Sequence, residues 1–274
     1  MKTAVITGGN SGIGKATAIG LAKKGYRVII HGKDVLKTQQ AVEEIKTYSN
    51  NTQIEYIVAD VSLLKGMKEL ADAIKQKTDT IHTLVLSTGV ILPKQIITDD
   101  GLEMGFAIQY LSRFAITQLL IKELKNGNAK IVHVGAAVLP GAKLFFDDLA
   151  LKNNFTMVKA MAQEMFANHL FIQEFSKNYA TSTMVMNMAD VGYANTNITR
   201  NLNFLLRWMV TIIGNTPEKA SKNFVFLASD ETVNFSGYFL NKPGNSSKKK
   251  KIAYDESVSK RLWDKSLELI APIM

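Results

Sequence analysis

The chain contains no cysteine. No disulfide framework can form, and the composition suits a reducing compartment. It also lacks any apolar run near the ~18 residues that a membrane span needs. The nearest, Phe204 to Ile213, is short and is interrupted by Arg207. No basic stripe with interleaved aromatics is present, which argues against a nucleic-acid partner. No His, Asp and Glu residues cluster at metal-ligand spacing, so no metal is expected. The first apolar run begins almost at once, leaving no room for a signal peptide. These absences point to a cytoplasmic protein.

What remains is 274 residues, 46% of them apolar, enough for the continuous core of one α/β domain over 1–274. The formal charge is +9, with four of the positive residues together at Lys248 to Lys251. That run reads as a solvated loop. The rest of the excess suits an anionic ligand.

The most informative stretch is Thr7-Gly8-Gly9-Asn10-Ser11-Gly12-Ile13-Gly14. It follows an apolar run, Ala4-Val5-Ile6, and precedes Lys15 to Ala22, whose apolar residues recur at helical spacing. Strand, glycine turn and helix in that order make a phosphate site. Glycine lets the backbone approach a pyrophosphate, and the helix N-terminus offers unpaired N–H groups and a positive dipole end. Glycines alone would mean only a tight turn. With the strand and helix around them they predict dinucleotide binding.

Apolar runs and helical patterns alternate along the rest of the chain. Strands are expected at Arg27–Ile30, Ile54–Val58, Thr83–Leu86, Ile131–Val134, Met184–Met188 and Tyr238–Leu240. Helices are expected near Lys37–Tyr48, Leu64–Lys75, Leu102–Leu124, Met157–Asn178 and Pro217–Leu227. This alternation implies a parallel sheet covered on both faces. Two stretches break it: a loop from Val90 to Asp100, and an insertion over 193–214 carrying Phe204 to Val210. Both would emerge at the carboxyl ends of strands, where such sheets bind ligands. The insertion reads as a substrate lid or a subunit contact ahead of a piece of core.

In these features the chain resembles the short-chain dehydrogenase/reductase family over nearly its whole length. Thr7-Gly8 with Gly12-Ile13-Gly14 is similar to that family's cofactor loop, and Asp60-Val61 to its adenine-contacting pair. Phe146-Asp147-Asp148-Leu149, Gln163, Ala167-Asn168, Ser236-Gly237-Tyr238-Phe239 and Arg261-Leu262-Trp263 resemble the retinol-dehydrogenase-like branch. The resemblance implies a Rossmann-like doubly wound parallel sheet with helices on both faces. It also implies a cofactor held by Gly8, Asn10, Ser11, Gly12, Ile13, Gly14, Lys33, Asp60, Val61 and Gly89. Lys33, in His31-Gly32-Lys33-Asp34, stands where the branch meets the adenosine 2′-phosphate. This favours NADP(H), with NAD(H) as the alternative. Self-association through the two long helices, as a homodimer or homotetramer, is a further implication, as is pairing with an active homologue.

The family's catalytic pattern, Asn-Ser-Tyr-Lys, is where the resemblance fails. Its tyrosine exchanges a proton, its lysine lowers the tyrosine pKa, its serine orients the substrate oxygen, and its asparagine supports a water relay. Tyrosine and lysine four apart share one helix face. Anchored on Phe146–Leu149 upstream and Ala167-Asn168 downstream, those two positions fall on Met161 and Met165. The serine position falls on Ala136 and the asparagine position on Gln109. Other registers fare worse. Phe155 and Lys159 have the spacing but no phenolic proton. Tyr238 and Lys242 lie on an expected strand, which would hold them ~13 Å apart.

General acid–base help is worth about 10²–10⁴ in rate, and thioether and methyl groups cannot supply it. Met157, Met161 and Met165 form a flexible apolar stripe, either core or the wall of a site for a small apolar molecule. The polar candidates left are Gln109 and Tyr193, with Asp190, Asn187 and Glu164 behind them. Glu164 is expected on another helix face, and His133 and His169 read as structural. Three functions stay open: a divergent, non-redox catalyst of cyclase or isomerase type, a catalytically silent NADP(H)-binding partner or scaffold, and a carbonyl reductase with a rebuilt proton relay.

Overall fold

The apolar runs become eight strands: β1 (Thr3–Thr7), β2 (Arg27–Gly32), β3 (Ile54–Val58), β4 (Thr83–Leu86), β5 (Lys130–Gly135), β6 (Val185–Asp190), β7 (Tyr238–Leu240) and β8 (Lys249–Lys251). In this computed structural model, which describes residues 1–179, 183–192, 216–240 and 249–274, they form one sheet. Its order is β3-β2-β1-β4-β5-β6-β7-β8. All pairings are parallel except β7 with β8. Chain order reverses between β1 and β4, where Thr7 is in register with Leu86. The loops after these strands therefore leave the sheet side by side, the switch-point geometry that creates a binding crevice.

Both faces are covered, and successive strand residues divide between two cores. Val5, Ile29, Leu84, Leu86 and Ile131 pack beneath α3 (Leu64–Lys77), α5 (Ser112–Leu119), α7 (Met157–Asn178) and α9 (Glu256–Ile270). Ala4, Ile6, Val28, Ile30, Val85 and Val132 pack beneath α1 (Gly12–Lys23), α2 (Val35–Ser49) and α8 (Pro217–Ser229). Several helix starts carry side-chain caps. Asp34 accepts from Lys37 N at 2.8 Å and Thr156 from Lys159 N at 3.2 Å, each satisfying an otherwise orphaned donor. The alternation read from the sequence is thus the fold.

Four details differ from expectation. The helix expected over Leu102–Leu124 starts as α4 (Met104–Phe106), widens into a π-helical turn at Ala107–Leu111 and continues as α5. It breaks at Leu120 before α6 (Ile121–Asn126). Glu103 caps the start, accepting from Phe106 N at 2.7 Å, and Asn168 Nδ2 takes the Gln109 carbonyl at 2.9 Å. Apolar periodicity cannot report such tertiary bonds. The sixth strand runs from Val185 to Asp190 rather than from Met184 to Met188.

The lysine run is not a loop at 249–251. Its backbone pairs with β7 while the side chains stay in solvent, and Lys249 Nζ lies 3.5 Å from the Phe235 ring centroid. Finally, α9 was not anticipated beyond its Arg261-Leu262-Trp263 motif. Its Trp263 ring lies 5.1 Å from Phe114, and Ser266 Oγ lies 2.6 Å from Tyr110 Oη. Part of the surface of the two long helices, the expected route to self-association, is therefore covered by the chain's own C-terminal helix. The expected lid over 193–214, with Tyr193, lies outside the described residues.

Candidate active site

The glycine loop is folded tightly against its neighbours. Gly8 (φ +65) and Gly12 (φ +53) occupy left-handed backbone conformations, which other residues adopt at a cost. A Cβ on Gly14 would fall 2.3 Å from the Gly8 carbonyl oxygen and 2.8 Å from Ser87 Oγ. Asn10 Nδ2 donates to Thr38 Oγ1 at 3.2 Å, tying the loop to α2. Ser11 occupies the N-cap position of α1 in extended conformation, without a side-chain bond closing the helix. The first-turn N–H groups of α1 are left for an anion.

Beneath the loop lies His31, which the motif reading passed over. Its Nδ1 accepts from Gly8 N at 3.4 Å while Nε2 stands 3.0 Å from the Ala59 carbonyl, so the proton belongs on Nε2. Burial holds this imidazole below its ordinary pKa, and its bond to Ala59 only partly offsets that. His31 thereby joins the glycine loop to the residues after β3, where Asp60 and Val61 stand. Asp60 Oδ1 accepts from the Ser62 N–H and hydroxyl at 3.1 and 2.7 Å, and Oδ2 pairs with Lys33 Nζ at 2.6 Å. Burial works to raise the Asp60 carboxyl. The Lys33 ammonium and Ser62 donors outweigh it and leave the pKa below the usual range. Val61 is buried and Gly89 is exposed after β4. The structure therefore gathers the expected cofactor residues at the ends of β1, β2, β3 and β4.

The positions that the resemblance assigns to the family's catalytic set lie after β5, on α7 and on the π-helical turn. Ala136 follows β5, half-buried, and its carbonyl accepts from His169 Nε2 at 3.1 Å. Met161 and Met165 lie half-buried on α7, and Gln109 lies half-buried on the π turn. Glu164 does not turn to a separate face as expected: it is buried, and its Oε2 accepts from Gln109 Nε2. Behind them Asn168 organises a polar core. Its Nδ2 donates to the Gln109 and Glu164 carbonyls at 2.9 and 2.8 Å. Its Oδ1 accepts from His133 Nδ1 at 3.2 Å and meets Arg113 Nη1 at 3.5 Å.

Arg113 is a second residue that sequence reasoning missed, because a charge inside an apolar helical pattern looks like a solvent-facing position. It is buried, and donates through Nη1 to the Val134 carbonyl and Nη2 to the Thr88 carbonyl, both at 2.9 Å. It thus ties together the carboxyl ends of β4 and β5. Burial lowers its pKa to about 10, which still leaves a cation. The same burial, with Arg113 nearby, depresses His133 strongly. Burial and the Glu103 charge push Glu164 well up, against the pull of Arg113. Asp190 is raised by burial, partly countered by the Gly192 N–H at 2.8 Å. Asn187 is structural, bonding Phe235 O and Tyr238 N at 2.7 and 3.0 Å. Among the described residues no group of acids, histidines or cysteines could hold a metal ion.

A doubly wound sheet with a glycine loop at its switch point defines a Rossmann-like α/β protein. The chain belongs to the short chain dehydrogenase family, whose model matches residues 2–140. It is 29% identical over 280 residues to polyprenol dehydrogenase of Homo sapiens, covering 98% of this chain and 84% of that protein. With retinol dehydrogenase 13 of Mus musculus it shares 29% identity over 288 residues, covering 100% and 85%. Among solved structures, an uncharacterized protein from Mycobacterium Paratuberculosis superposes with a TM-score of 0.77 at 22% identity, covering 99% of this chain and 94% of the other. A 3-oxoacyl (acyl-carrier-protein) reductase from Agrobacterium tumefaciens C58 with NADP bound gives 0.69 at 21%, covering 88% and 92%. At such identities the structural likeness speaks for the fold. No described helix is long and apolar enough to cross a membrane.

Proposed function

We propose that this protein binds NADP(H) at the Gly8–Gly14 loop and acts on a small apolar molecule as a divergent, non-redox catalyst of cyclase or isomerase type. The observation that carries the reading is the contrast between the two halves of the crevice. The pyrophosphate half keeps its glycines, an open helix N-terminus and the exposed Lys33 cation. In the other half, the positions assigned to the family's proton-transfer set hold Gln109, Ala136, Met161 and Met165. An amide, a methyl and two thioethers cannot exchange a proton with a carbonyl at useful rates.

In the bound state the cofactor's own chemistry is hydride donation or acceptance. The N–H groups of α1 would hold its pyrophosphate, Lys33 the 2′-phosphate and Asp60 with Val61 the adenine. Met161 and Met165 would offer a deformable apolar wall. The relatives named for polyprenol and retinol, both apolar alcohols, support an apolar ligand, and the NADP-bound neighbour supports the cofactor.

The same contrast favours a second reading, a catalytically silent NADP(H)-binding partner of an active homologue. A third, a carbonyl reductase with a rebuilt proton relay, draws on the buried Glu164 carboxyl beside Gln109. An NADPH fluorescence titration run beside a cofactor-consumption screen over apolar aldehydes and ketones tests all three. Binding without consumption is expected. Steady NADPH consumption would favour the reductase, and absence of binding would remove the cofactor assignment itself.

A further inference from the structure

We propose that Glu164 is a positioning residue that sets the hydrogen-bond polarity of Gln109. Gln109 then offers a bound ligand either an N–H donor or a carbonyl acceptor, according to whether Glu164 carries a proton. This deepens the reading above, since it takes Gln109 to border the ligand site. The geometry itself is independent of that reading.

The two side chains are held in one frame. Asn168 Nδ2 bonds both their backbone carbonyls, at 2.9 and 2.8 Å, while Gln109 Nε2 donates to Glu164 Oε2. The other carboxyl oxygen rests on bare backbone. A Cβ at Gly105 would come within 2.3 Å of Glu164 Oε1 and 3.0 Å of Glu103 Oε2. Glycine thus leaves room for two carboxyls to meet. The charged groups facing Glu164 are Glu103, from the turn before α4, and Arg113, from α5. Glu164 is 5% exposed, whereas Gln109 is half-buried and its Oε1 has no protein partner among the described residues.

Two arrangements follow from the valences of the groups. An ionised Glu164 can only accept, so it holds Nε2 and leaves Oε1 of Gln109 as an acceptor for a ligand hydroxyl. A protonated Glu164 can donate its O–H to Oε1. The amide turns over, and Nε2 then serves as a donor for a ligand carbonyl. One proton is taken from solvent and no covalent bond changes. Burial beside Glu103 places that proton uptake above the ordinary glutamate range. A ligand presenting a carbonyl to Gln109 is therefore preferred in acid, and one presenting a hydroxyl in base.

The test is side-chain NMR on the full, cofactor-free chain labelled with ¹⁵N-glutamine, the Gln109 pair being identified by its loss in Gln109→Leu. From about pH 5 to about pH 9 the Gln109 NH₂ resonances should move through one titration, centred above the ~4.3 of a free glutamate. Glu164→Gln should abolish that titration. Glu103→Gln should move its midpoint down by removing the neighbouring charge. Resonances that stay fixed over this range, a titration that survives in Glu164→Gln, or an unmoved midpoint in Glu103→Gln would each overturn the proposal. Failure of NADPH to bind would instead count against the functional reading, because no cofactor enters this measurement.

Discussion

Lys33 Nζ lies 2.6 Å from Asp60 Oδ2, so the cation assigned to the 2′-phosphate and the acid assigned to the adenine are joined across the ends of β2 and β3. The Lys33 side chain is 72% exposed. A pair this open contributes at most about 1 kcal/mol, little enough for a phosphate dianion to draw the ammonium away. Lys33→Ala is expected to weaken NADPH binding about tenfold, or about 1.4 kcal/mol, and to change NADH binding by less than about twofold. Fluorescence titrations with both nucleotides check this. Equal losses for the two would show that Lys33 does not read the phosphate.

The loop's close packing gives a second prediction. Gly14→Ala would set a methyl 2.3 Å from the Gly8 carbonyl oxygen, a fixed backbone atom that cannot rotate aside. The loop must shift, at about 1–3 kcal/mol of overpacking strain. Denaturant unfolding should show that loss, and NADPH affinity should fall with it. Gly25→Ala serves as the control. Its Cβ would meet nothing within 4 Å, although φ is +79 and some backbone strain remains. A stable Gly14→Ala protein with unchanged NADPH affinity would contradict the assigned site.

Local patterns were the legible part of this protein. Alternating apolar runs announced the strands, and Thr7 to Gly14 announced its own turn, because both are short-range consequences of residue type. The π turn at Ala107–Leu111 was not legible, since it answers to Asn168 Nδ2, which is remote in sequence. Arg113 was missed and Glu164 misplaced for a related reason. A charged residue on a helix signals solvent unless its partners are known, and theirs come from other elements. The edge strand at Lys249–Lys251 shows the opposite limit. Its side chains are as solvated as expected, yet its backbone is committed to β7.

Restoring the family's proton-transfer set tests both the register and the cost of its loss. Met161→Tyr, Met165→Lys and Ala136→Ser together should raise NADPH-dependent reduction of an apolar aldehyde panel by about 10²-fold or more over the parent. Reduction takes a proton from the phenol as the hydride reaches the carbonyl carbon, so the gain should fall at pH values high enough to ionise the restored tyrosine. If NADPH still binds and the rate does not rise, the register or the shape of the crevice is at fault. If binding is also lost, the substitutions have disturbed the fold, and thermal unfolding will show it.

The last prediction concerns His133, whose Nδ1 bonds Asn168 Oδ1 at 3.2 Å while Nε2 is buried without a partner. Burial and the neighbouring Arg113 charge both disfavour the imidazolium, so the folded pKa lies well below the ~6.5 of an unfolded chain. The unfolded state therefore takes up the proton first as pH falls. Stability from this group is complete above about pH 6.5 and is lost progressively as pH drops toward the folded value, approaching about 1.4 kcal/mol per pH unit. The depressed His31, His82 and His169 add slopes of the same sign, so the useful quantity is a difference between proteins. His133→Asn keeps an N–H for Asn168 but cannot titrate. Denaturant unfolding at about pH 7.5 should find it less stable than the parent, with the gap narrowing by about 1 kcal/mol at about pH 5.5. A gap that stays constant would mean that His133 takes up its proton equally in the folded and unfolded states.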